Sequence, residues 1–142
     1  MRVYVPTTLD RLRAWYDVDV LTAPVAAYAA TESVRRTLPD IGDDEAEYAL
    51  VSAAAEASQQ LLTDDFHKRG CRVVVVAEMP YAAVREDLDH PGAVTVVAPI
   101  ERQQISAVLA DSSAVTLAGT QEDLCWFATQ EIPQLLASSA GD

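Results

Sequence analysis

Residues 71–80 read CRVVVVAEMP. Four valines and an alanine stand in a row, preceded by Gly70 and stopped by Met79-Pro80. A β-branched run that is continuous, not alternating, predicts a central strand covered on both faces. Such a strand needs neighbours at both edges and a layer of structure on each side. The rest of the chain is read for those neighbours.

Upstream, residues 2–5 alternate and stop at Pro6, which predicts a short strand. Thr7 and Thr8 follow as candidate helix caps, and Leu9, Leu12 and Trp15 or Tyr16 recur at helical spacing. The small-residue stretch PVAAYAA (24–30) reads as a second strand, with Thr31 capping a short turn towards Leu38. Pro39 and Gly42 break the chain, and Asp43, Asp44 and Glu45 crowd the first turn of the next helix, at the positive end of its dipole. From 44 to 64 the period is helical. Ala46, Leu50, Ala53, Ala54, Ala57 and Leu61 form one stripe, and Tyr48, Val51, Ala55 and Leu62 an adjoining one. Two stripes predict a helix covered around most of its circumference.

Downstream, residues 81–92 read as an acidic loop and 93–98 as a strand ended by Pro99. The stretch ISAVLA (105–110) fits either element by period, and its length favours a strand. Residues 112–119 connect to a closing helix over 121–137, and 138–142 form a tail. The chain is therefore expected to be one α+β domain, residues 1–137. A mixed sheet of about five short strands is expected, with the long alanine-rich helix and the C-terminal helix packed on it. The nearest named arrangement is ferredoxin-like. A flavodoxin-like sheet is disfavoured because the later strands lack helices between them.

Within the closing segment, LCWFATQEIPQLL (124–136), a helical wheel gathers Leu124, Cys125, Ala128, Ile132, Leu135 and Leu136 on a core face. Trp126 and Phe127 fall elsewhere, around Gln130 and Gln134, a pattern suited to a contact surface. Pro133 predicts a kink or a restart near Ile132.

The chain has 142 residues, with 22 acids against 10 bases and a formal charge of −12. Phosphate backbones and anionic lipid repel such a chain, so neither nucleic acid nor a membrane is an expected partner. MRVYVPTT has no apolar signal region, and no apolar run reaches the ~20 residues of a membrane span, so a cytoplasmic location is expected. Cys71 and Cys125 each stand alone and are expected to be reduced, buried thiols.

Chemical motifs are sparse. His67, His90, Cys71 and Cys125 lack ligand spacing, so no metal site is expected. Neither a nucleophile elbow nor a glycine-rich phosphate loop occurs, and no cofactor or catalytic residue is assigned. Cys125 has Glu122 and Asp123 nearby, which disfavour a thiolate. Acids at 43–45, 64–65 and 86–89 are candidate general acids or cation ligands, but each cluster sits at an expected helix end or loop, where a solvated surface explains it. One constellation resembles an anion site: Thr7 and Thr8 at a strand-to-helix turn, with Arg11 following. An ordinary capped helix explains the same residues.

Three stretches taken in order, MRVYVPTT, EYALVSAAAEASQQLL with RVVVVAEMP, and LCWFATQEIPQLL, resemble a family of small actinobacterial proteins defined as a domain of unknown function. The resemblance covers nearly the whole chain. The family's closing motif usually reads Trp-Tyr-Ala-Thr-Gln-Glu. Phe127 stands here in place of the tyrosine, so no phenolic hydroxyl serves at that position, and the connector before the closing segment is shorter. The resemblance implies a cytoplasmic protein and carries over no catalytic residue. The resulting expectation is a non-enzymatic protein-interaction or regulatory module that binds a protein partner or a second copy of itself. The alternative is a small-ligand binder or enzyme with its site at Thr7, Thr8 and Arg11.

Overall fold

The computed structural model describes residues 1–18, 20–37, 40, 42–64, 72–111 and 124–140. Cys71, His67 and the connector 112–119 lie outside the described residues. The valine run becomes β4, Val73–Glu78, and it is buried along nearly its whole length. Its odd residues Val73, Val75 and Ala77 enter one apolar cluster, and its even residues Val74 and Val76 enter another. The period-two alternation of a strand thus feeds two cores at once.

On one side of β4 lies β1, Arg2–Thr7, and on the other β8, Ile105–Asp111, both antiparallel to it. Beyond β1 come β3, Val25–Ala29, β6, Ala93–Val96, and β5, Val84–Glu86; beyond β8 comes β9, Leu124–Ala128. The seven-stranded order is β5-β6-β3-β1-β4-β8-β9. Every neighbouring pair is antiparallel, where a mixed sheet of about five strands was expected. The expected ferredoxin-like arrangement rests on split βαβ units, in which two parallel strands flank an antiparallel one. The chain has such a unit, with β1 between the parallel strands β3 and β4, in a sheet that extends to seven strands with no two neighbours running the same way. A separate two-stranded ribbon joins β2, Val20–Leu21, to β7, Ile100–Glu101.

Helices cover both faces. On one, α3, Asp43–Asp64, lays Leu50, Val51, Ala54 and Ala55 over Tyr4, Val74, Val76, Ala107 and Leu109. On the other, α1, Leu9–Val18, and α4, Ile132–Ala140, bring Leu12, Trp15, Ile132, Leu135 and Leu136 onto Val3, Val5, Val73, Val75 and Val108. The Arg13 guanidinium donates to the Leu136 carbonyl at 3.1 Å and ties α1 to α4. A short helix α2, Glu32–Thr37, is capped by the Thr31 hydroxyl, which accepts from the Val34 N–H.

Several elements differ from their sequence reading. The buried stripe of α3 (Ala46, Leu50, Val51, Ala54, Ala55, Ser58) runs between the two expected stripes and takes part of each. Tyr48, Ala49 and Glu56 are exposed, so the helix is covered on one face only. Its other alanines express helix propensity, not burial. The strand at the N-terminus passes through Pro6 to Thr7, because its ladder to β3 ends at Tyr4 and only β4 runs beside Pro6. The loop over 81–92 contains a 3-10 turn, Tyr81–Ala83, and the edge strand β5. The ambiguous 105–110 stretch is strand, and a bulge opposite Val76/Ala77 turns Ile105 to one core and Ala107 to the other. The closing helix of 121–137 is replaced over 124–128 by β9. The helix proper starts at Ile132, with Pro133 in its first turn where a missing N–H costs nothing.

The end of the sheet beneath α3 is closed by polar groups. Ser58, 0% exposed, donates from its hydroxyl to the Thr7 carbonyl at 2.7 Å and accepts from the Val73 N–H at 2.9 Å. It therefore bridges β1 and β4 at the last pair of their ladder. One position out, Arg72 and Asp111 form a buried ion pair at 2.6 Å, and the carboxylate also accepts from the Arg72 backbone N–H at 2.8 Å.

Ser58→Ala removes the bridge and leaves two buried backbone groups unpaired. A loss of about 1–3 kcal/mol is expected in urea denaturation. Arg72→Met strands a buried carboxylate and is expected to cost about 3–5 kcal/mol, whereas Arg72→Met with Asp111→Leu recovers most of that loss. A double variant no more stable than Arg72→Met alone would show that the pair supplies more than mutual neutralisation.

Candidate functional site

The site candidates at the C-terminal end are sorted by β9. Its residues pair with β8, Trp126 opposite Leu109 and Leu124 opposite Asp111. Alternation sends Leu124 and Trp126 to the α3 face, and Cys125 and Phe127 to the face of α1 and α4. Phe127 packs there against the larger core. A helical period had set Trp126 and Phe127 side by side around Gln130 and Gln134; a period of two separates them across the sheet. Gln130 lies in the 3-10 turn Thr129–Glu131 and Gln134 in α4, both exposed. Two polar contacts hold that turn: Thr129 Oγ1 donates to the Ile105 carbonyl at 3.0 Å, and the Ala128 N–H donates to Glu131 at 2.9 Å. Of the four contact candidates, Trp126 alone faces α3.

There Trp126 borders a groove of about 310 Å³. Asp44, Glu47, Tyr48 and Val51 of α3 form one wall, and Leu109, Leu124 and Trp126 of β8 and β9 the other. Val51 and Leu109 are buried, giving the groove an apolar floor. Trp126 is 58% exposed and Tyr48 49% exposed, so two large rings stand open at its margin. The acids sit on α3, one helical turn apart. Glu47 accepts a hydrogen bond from the Tyr4 hydroxyl at 2.9 Å and lies 3.6 Å from Arg2, which is itself bonded to Glu78 at 2.8 Å. Asp44 is exposed.

Tyr4, Glu47 and Tyr48 carry no site signal in the sequence, and Asp44 stands there only within the acid cluster 43–45. Tyr48 had been read as part of an apolar stripe. Nothing local signals that α3 and β9 meet, since β9 itself reads as helix when taken alone.

The other candidate cluster is a helix cap. Thr8 is buried, its hydroxyl accepts from the Arg11 N–H at 3.2 Å, and its carbonyl accepts from the Leu12 N–H at 2.9 Å. Thr7 is buried and its carbonyl is taken by Ser58. Arg11 is exposed on the outer side of α1. The fold thus joins the three residues in one turn, with the Arg11 N–H already held by the Thr8 hydroxyl. Among the described residues, no group of three or more His, Cys, Asp or Glu side chains gathers in a way that could hold a metal ion, and no helix is long and apolar enough to cross a membrane.

The Tyr4 phenol, bonded to Glu47 of the groove wall, is pushed well above the usual tyrosine range, first by burial, then by the hydrogen bond it donates to Glu47 and by that carboxylate's charge. Its ordinary value is 10.0. Because the folded value is the higher one, its stabilising contribution is complete below pH 10 and is lost as pH rises beyond that. An ultraviolet titration is expected to show one of the five tyrosines ionising only with alkaline unfolding. Tyr4→Phe should remove that step and flatten the alkaline stability profile.

No curated protein and no solved structure matches this chain. A family model matches residues 1–136, which span both cores, the groove and the closing strand. The chain belongs to that family, a family of unknown function (DUF6912).

Proposed function

We propose that this chain is a non-enzymatic interaction module whose docking face for a protein partner is the surface shared by α3 and β9. One observation carries the reading: Trp126 is 58% exposed at the middle of a strand that ends the sheet among the described residues, beside a formed groove. Exposed tryptophans next to pockets are the side chains that most often dominate binding energy at interfaces. The strand adds a second argument. β9 carries no charge, glycine or proline, whereas the opposite edge β5 carries Arg85 and Glu86. Edge strands left without charges are the ones that accept further pairing.

Trp126→Ala tests this. Its side chain is largely outside the core, so denaturation should show a stability change below about 1 kcal/mol. Partner capture and any self-association seen by light scattering should fall by about thirtyfold, as expected for a central anchor. Unfolding of the variant would place Trp126 in the core, and unchanged association would remove this face from the interaction.

A further inference from the structure

We infer that the groove between α3 and β9 receives an arginine side chain from a basic segment of the partner, an inference that rests on reading this surface as the docking face. The groove combines three features. Its floor, made by Val51, Leu109 and Leu124, is apolar and suits the methylene stem of a long side chain. Its margin holds the half-exposed rings of Tyr48 and Trp126, whose faces attract a cation, indole most strongly. Its α3 wall brings two carboxylates, Asp44 and Glu47. A guanidinium matches all three, because its plane stacks on a ring while its edge donates to a carboxylate; an ammonium does only one well at a time. The chain already uses the same pairing internally, with the Arg102 guanidinium 4.2 Å above the Tyr16 ring.

Charge selects among occupants. The groove lies near the start of α3, where the helix dipole contributes about half a positive charge. Asp44, Glu45 and Glu47 outweigh it within one turn, and Arg2 offsets only part of Glu47. The chain as a whole carries −12. A second copy docking here would bring like charges together, and an anionic ligand would be repelled; a basic segment gains on both counts.

The whole chain can be titrated with the peptide acetyl-Gly-Arg-Gly-amide and with its citrulline twin, which keeps the shape and loses the charge. The readout is intrinsic fluorescence. The two tryptophans separate cleanly, since Trp15 is 2% exposed and Trp126 is open, and Trp126→Phe leaves only the buried reporter. A saturable change with the arginine peptide is expected. It should be absent with citrulline and in Trp126→Phe, and about fivefold weaker in Asp44→Asn and at high salt. No saturable change, or an equal response to citrulline, overturns the arginine site. If that happens while Trp126→Ala still abolishes partner capture, the docking face stands without it. If the peptide binds as expected but Trp126→Ala leaves association intact, the arginine site stands and the docking face falls.

Discussion

Everything in this fold depends on burying β4 on both faces. Its run Val73–Ala77 offers no polar side chain, so either face left open would expose a stripe of β-branched surface. Burying one such side chain contributes on the order of 1.5–3 kcal/mol, and the run has four of them. That demand explains the layers: α3 on one side, α1 and α4 on the other. It also explains why β1 is nearly as buried as β4, since it shares both cores through Val3 and Val5 on one face and Tyr4 on the other.

A sheet buried on both faces must settle its polar groups at the ends of the strands, where the ladders stop. Here that is done under α3. Among the described residues Ser58 is the one polar side chain in the buried stripe of that helix, and it sits where a hydroxyl can serve both a carbonyl and an N–H. Arg72 and Asp111 are the residues next after the Val73–Ala110 register pair, so the same antiparallel alignment that packs the valines also brings the two charges together. A shift of register would separate both sets at once. The ion pair costs desolvation and so adds little net stability. Its geometric role is to make one alignment of β4 and β8 much better than its neighbours.

The parts legible in the sequence are those whose patterns are set locally. The valine run, the acid-started helix and the Thr8 cap each carry their own signal, and each has its element in the structure. What was not legible depends on a neighbour far along the chain. LCWFA is apolar throughout, so its period cannot choose between helix and strand; β8 chooses, by offering a free edge in register from Ala107 to Asp111. The two alanine-rich stripes of α3 could not be ranked from the wheel, because alanine serves propensity and packing alike. Contact with Tyr4, Val74 and Leu109 selects the line between them. The groove combines both uncertainties, since it needs β9 as a strand and α3 at this rotation. Trp126, the one expected contact residue that borders the groove, shares with Phe127, Gln130 and Gln134 a placement from a helical period that does not apply to 124–128.

The two edges of the sheet are not treated alike, and the net charge explains how the chain tolerates this. β5 is short and carries charges on its own residues, which is the usual guard against unwanted pairing. β9 carries no charge on its own residues, and among the described residues no strand pairs with its outer side. The acids that guard it lie elsewhere: Asp44 and Glu47 of α3 stand across the groove from Trp126. On the docking reading proposed above, a second copy meeting this face would bring its own acidic wall and its own charge of −12 to it. Repulsion supplied from the helix, not the strand, discriminates by sign. If this face is the docking surface proposed above, that sign would oppose another copy of an acidic chain and favour a basic segment, so one arrangement of charges would serve both against self-pairing and for partner choice.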